Sequence, residues 1–178
     1  MEYNLLMSAP YTKYHIPYTS HGYTLIEILV VLAIVSLLFG VGYISFRDFS
    51  RREALSGVVN QVKGDLRLSQ QMALSGQKPN DTLCNAPNTL TGIRFRVFTA
   101  SQYYVNADCS GGIVNIKIVN LPSGVIFASP FPVPNPIEFK ILGQGTNIVS
   151  GQSAAIILTQ AGTNKSTTIT VTSGGEIK

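Results

Sequence analysis

The sequence predicts an α+β fold: a long N-terminal helix, one half a membrane segment and the other amphipathic, packed on an antiparallel β head. Three observations lead there. Residues 28–46 form an uncharged apolar run, residues 55–73 repeat apolar side chains at helical spacing, and from residue 93 short stretches alternate apolar and polar with period two. Of the 178 residues, 45% are hydrophobic and 12% charged. An average globular chain has roughly 25% charge, so a disordered, highly charged chain is excluded. With the mean hydropathy positive, part of the chain belongs outside water. The net charge of +4 is too mild to mark a nucleic-acid binder by itself.

The chain opens on residues 1–22, which are polar, aromatic and interrupted by Pro10 and Pro17, and read as an unfolded leader. No A-x-A cleavage site follows the apolar run, so this is not a secretory signal peptide. The small residue, Gly22, stands before the run instead. Ile28 to Phe46 then gives 19 residues without a charge. As a helix they span about 28 Å, close to the hydrocarbon thickness of a bilayer. Glu27 sits at the edge of this run. Two readings stand side by side: an N-terminal-turn acid that favours the helix dipole, or a carboxylate that needs a cation from another chain, since a charge at membrane depth costs about 2.5–3.5 kcal/mol.

Gly22-Tyr23-Thr24-Leu25-Ile26-Glu27-Ile28, followed by the apolar helix, resembles the processing site of type IV pilins and type II secretion pseudopilins. The resemblance implies cleavage between Gly22 and Tyr23 by a prepilin peptidase, methylation of the new amine on Tyr23, and a Glu27 carboxylate neutralised by a neighbouring subunit's N-terminus. It implies a single-pass inner-membrane protein with a periplasmic head, handed by an assembly platform to a fibre of other pilin or pseudopilin subunits. The flanking charges point the other way, with Lys13 against Glu2 before the helix and Arg47, Arg51 and Arg52 after it. The processing motif is taken to outweigh that count.

No proline falls between Pro17 and Pro79, so nothing obliges the helix to stop at Phe46. Leu55, Val58, Val59, Val62, Leu66 and Ala73 share one face of an amphipathic continuation over 47–76. Gly76, with Pro79 close behind, ends it. The alternative is two helices hinged near Gly40-Val41-Gly42. Residues 65–75, Gly76, the cysteine soon after and the ending Ser173-Gly174-Gly175-Glu176-Ile177-Lys178 are similar to the GspH/FimT minor pseudopilins.

The head, residues 77–178, reads as all β. Ile93 to Val97 and Ile137 to Ile141 alternate. Tyr103 to Val105 and Val114 to Val119 are β-branched or aromatic. Ala155 to Thr159 and Thr167 to Thr172 form a hairpin around Gly162-Thr163-Asn164. Pro130, Pro132, Pro134 and Pro136 exclude a central strand and make an extended loop. Cys84 and Cys109 are the only cysteines. In an extracytoplasmic head they form one disulfide; the alternatives are two buried thiols, or a redox or metal role.

Both histidines, His15 and His21, precede Tyr23. A processed chain therefore lacks histidine, which removes His-based acid–base catalysis, a Ser–His–Asp triad and His-ligated metals. Gly143-Gln144-Gly145 reads as a turn, not a phosphate loop. Asp81 and Asp108 do not make a calcium loop. The reading is a non-enzymatic structural subunit, a minor pilin or pseudopilin, with no cofactor and no metal. The second function class is a DNA-binding minor pilin. Its weak candidates are Arg94 and Arg96 on one strand face, with Lys178, although the ending also carries Glu176.

Overall fold

The computed structural model describes residues 22–163 and 165–178, the side chains of 41–48 excepted. The expected leader, apart from Gly22, lies outside the described residues, as does Asn164 of the expected hairpin turn. The chain divides into two compact units, Met1–Gly42 and Tyr43–Lys178, and each is described by itself.

The described part of the first unit is the start of helix α1, which is helical from Leu25 to Ser75. Thr24 supplies the N-cap: its Oγ1 accepts from the Glu27 N–H at 3.3 Å, the first half of a Thr-x-x-Glu capping box. From residue 22 to 40 every side chain is exposed within the chain.

In the second unit, α1 runs to Ser75 and stops for a visible reason. Gly76 takes φ +61°. The Gly76 N–H donates to the Ala73 carbonyl and the Gln77 N–H to the Met72 carbonyl, the paired bonds of a Schellman stop. The expected stripe is buried, with Val62 and Leu66 fully so. Met72 joins it, together with two polar residues, Asp65 and Ser69. The Ser69 hydroxyl donates to the Asp65 carbonyl, which removes a buried donor that would otherwise oppose burial.

Seven strands follow: β1 (Leu90–Thr99), β2 (Gln102–Cys109), β3 (Gly112–Asn120), β4 (Val125–Phe127), β5 (Ile137–Lys140), β6 (Ser153–Gln160) and β7 (Lys165–Thr172). They build two sheets, ordered β3-β2-β1-β5 and β4-β6-β7, and every pair is antiparallel. The α+β fold is the one the sequence predicts, but β4 is an addition: three residues are too few to display a period of two. Alternate positions from both sheets, among them Phe95, Tyr103, Ile137, Ile156 and Ile169, form one core with the α1 stripe. Residues 129–136, with their four prolines, form an irregular connection between β4 and β5.

The sheet edges are treated unequally. Beyond β5, segment 145–147 adds two backbone bonds, Lys140 N–H to the Gly145 carbonyl and Asn147 N–H to the Glu138 carbonyl. Beyond β7, the chain end folds back, and Thr170 and Lys178 exchange a pair of backbone bonds. Beyond β4, the Phe127 N–H reaches the Ala100 carbonyl in the β1–β2 turn. On the far side of β3, no backbone hydrogen bond occurs among the described residues.

Candidate assembly segment and head surface sites

The N-terminal segment combines three features. Gly22 lies in open space, and a Cβ placed there meets nothing within 4 Å. The fold itself therefore does not require glycine at this position. Tyr23 follows, 77% exposed, and Thr24 then caps the helix. Glu27 occupies the first turn, where its charge also favours the helix dipole. The sequence reading considered the dipole but missed the Thr24 cap, although the signal, threonine three residues before glutamate, is local.

Beyond Glu27 the helix presents apolar side chains on all sides, including Leu29, Leu32, Leu37, Leu38 and Phe39. Such a surface, unpartnered among the described residues, is of the kind that meets lipid or other protein. Among the described residues no helix is long and apolar enough to cross a membrane. The side chains of 41–48, which belong to the expected run Ile28–Phe46, lie outside the described residues.

In the head the two cysteines are joined. Cys84 and Cys109 form a disulfide with their Cα atoms 5.3 Å apart, and both are buried. The bond fixes the loop after α1 to the end of β2.

The weak phosphate candidates separate. Arg94 bridges three strands, ion-paired with Asp108 of β2 and, at 3.4 Å through Nε, with Glu138 of β5. Two carboxylates on one guanidinium leave a local excess of negative charge, a poor site for a phosphate. Lys178 pairs with Glu176 at 3.2 Å. Arg96 is exposed and lies over the Phe98 ring at 5.6 Å. That ring stacks on Tyr104 at 4.9 Å.

Asp65 organises a site that sequence reasoning did not find. It is 6% exposed and accepts from the Tyr103 hydroxyl at 2.6 Å and from the Lys117 Nζ at 2.7 and 2.9 Å. Burial first, then the hydrogen bond to Asp65 and the charge of that carboxylate, hold the Tyr103 proton on well above the ordinary phenol range. The group ties α1 to β2 and β3.

Among the described residues no cluster of three or more His, Cys, Asp or Glu is arranged to hold a metal. A cleft of about 90 Å³ lies beside Gln70, Phe139 and Lys140, smaller than the roughly 300–1,000 Å³ of a typical ligand pocket.

Compared with known proteins, residues 18–43 match the family model described as the prokaryotic N-terminal methylation motif. No curated protein and no solved structure matches the chain. The motif supports a type IV pilin-like or pseudopilin protein. In general such proteins are structural, are processed by a prepilin peptidase, are anchored in a membrane and assemble with other pilin subunits.

Proposed function

We propose that this chain is a minor pilin or pseudopilin, a non-enzymatic structural subunit of a type II secretion pseudopilus or a type IV pilus. Residues 65–75, Gly76 and the cysteine soon after it resemble the GspH/FimT group. The observation that carries the reading is the methylation motif at 18–43 opening a helix that, from Ile28 to Phe39, exposes apolar side chains on every side. In this reading the domains are a leader (1–22), a membrane or fibre-core helix (23–46), its amphipathic continuation (47–76) and the β head (77–178). The peptidase cuts after Gly22, where the absence of a side chain gives it room, and Tyr23 becomes a methylated N-terminus. The new amine is a cation within reach of a neighbour's Glu27. In an apolar bundle an unpaired carboxylate is costly, so the charge pair sets the register of one subunit against the next.

The direct test is mass spectrometry of the N-terminal peptide from native membranes. It is expected to begin at Tyr23 with one added methyl group. A chain that retains its first 22 residues overturns the reading. Because Gly22 stands in open space, Gly22→Val is expected to block processing while leaving the head folded. Glu27→Ala is expected to insert normally but enter fibres poorly, measured as the ratio of sheared-fibre to membrane protein. Equal incorporation counts against a pairing role.

A DNA-binding minor pilin is the second reading, and the exposed Arg96 beside Phe98 and Tyr104 is what favours it. The carboxylates on Arg94 and Lys178 weigh against it. A gel shift at low salt, flat with DNA concentration, removes this reading.

A further inference from the structure

We propose that the foot of the head, made by Arg51 and Arg52 of α1 and the β6–β7 turn with Lys165, docks on the phosphates of anionic phospholipids. The proposal rests on the membrane reading above. Arg47, Arg51 and Arg52 follow the apolar run 28–46, and the positive-inside count leaves them unexplained beside a periplasmic head. Their depth supplies a reason. At 1.5 Å per residue, Arg51 lies about 7–8 Å along the helix beyond Phe46. The headgroup layer extends roughly 5–8 Å beyond the hydrocarbon on each side, and a long basic side chain reaches across the difference. Phe49, 60% exposed, stands between, an apolar side chain at the boundary.

The head reaches the same level. Arg51 is one helical turn before Leu55, where the buried stripe begins. A Cβ built on Gly162 would stand 3.3 Å from a guanidinium nitrogen of Arg51, so the β6–β7 turn lies against that arginine. Two further connections meet this end: the Ala161 N–H donates to the Gly124 carbonyl, and the Leu121 N–H to the Ser101 carbonyl. Residues 99–102, 120–124 and 161–164 contain no acid. Asp108 closes β2 at its opposite end, about 20 Å along the strand from Gln102. Lys165 opens β7 opposite Gln160. Lys165 and Arg52 are exposed and enter no ion pair among the described residues. The acids close by in sequence are Asp48 and Glu53, against the four cations Arg47, Arg51, Arg52 and Lys165. A cationic end with acid-free loops, held by an anchor at phosphate depth, is complementary to an anionic lipid surface. Each cation near such a surface strengthens binding roughly five-fold.

The chain has no tryptophan, so Phe49→Trp places a single fluorescent probe at the foot. The full-length processed protein carrying it is reconstituted in vesicles of equal parts phosphatidylcholine and phosphatidylglycerol, with acyl-chain bromine on one lipid or the other. Phosphatidylglycerol is expected to quench with an apparent affinity about five-fold or more above that of phosphatidylcholine. Adding R52Q/K165Q is expected to bring this ratio close to one. Both side chains are exposed, so the fold does not depend on them. R52K/K165R keeps the charges and is expected to keep the ratio, and high salt is expected to lower it. Equal quenching by the two lipids overturns the proposal and leaves the membrane anchor standing. No quenching by either lipid overturns the membrane reading with it. A ratio that R52Q/K165Q does not change also overturns the proposal. So does a ratio of one combined with poor entry of R52Q/K165Q into fibres, which assigns the foot to an acidic face of a neighbouring subunit.

Discussion

Asp65 is the only charged residue buried among those described, and its partners are far away in sequence: Tyr103 is 38 residues on and Lys117 is 52. A buried carboxylate is tolerable only when its lone pairs are occupied, and here they are occupied by a phenol and an ammonium. A hydrogen bond to a charged group contributes about 1.5–3 kcal/mol. Tyr103→Phe is therefore expected to lower head stability by about that amount, read from the urea midpoint. The titration has a definite sign. The folded state holds the Tyr103 proton above the ordinary phenol pKa near 10. This stabilisation is complete below about pH 10 and declines as the pH rises further, because the folded chain then binds more protons than the unfolded one. Stability measured from pH 9 to 11 is expected to fall more steeply for the wild type than for Tyr103→Phe. Equal slopes would remove the phenol from the account.

At the scale of elements, two devices limit the segment between α1 and β2. Gly76 ends the helix in the left-handed region, where a Cβ is penalised by roughly 1–2 kcal/mol. Gly76→Ala is expected to cost close to that, because its Cβ meets nothing else; thermal unfolding of the head measures it. The disulfide then closes a separation of 25 residues. By loop-closure entropy this corresponds to about 3–4 kcal/mol. The double Cys84→Ser, Cys109→Ser variant is expected to lose a large part of it, seen as a lower denaturation midpoint with a somewhat steeper slope, because the unfolded chain opens further without the crosslink. The helix stop was legible in the sequence because glycine and proline act locally. The stripe from Leu55 to Ala73 was legible for the same reason, since periodicity is a property of one segment. The role of Asp65 was not. A lone acid inside an apolar stripe acquires meaning only when two other strands deliver its partners, and no local pattern announces that. Strand β4 escaped because three residues carry no period, and because its place is set by the neighbouring β6.

At the scale of the whole chain, the features with functional meaning fall into two kinds. The methylation motif at 18–43 is written in consecutive residues and could be read directly. Those on the head depend on pairing. Arg94 and Arg96 alternate along one strand and look equivalent in sequence, yet the register of β1 between β2 and β5 gives Arg94 two carboxylates and leaves Arg96 against an aromatic ring. A basic strand face is therefore a poor guide to nucleic-acid binding until the neighbours of each cation are known. This leads to a prediction for the head surface: Arg96→Ala is expected to leave the unfolding free energy within about 0.5 kcal/mol of the wild type. Arg94→Ala is expected to lower it further, because Asp108 and Glu138 then face each other uncompensated.

The outer edge of the second sheet is covered by a contact that is short in sequence: Thr170 and Lys178 exchange backbone hydrogen bonds, and Val171 is bridged to Ile177. Closing so short a loop costs little chain entropy. This cover can therefore form as soon as β7 is in place, without waiting for any distant part of the head, and the edge is never bare for long.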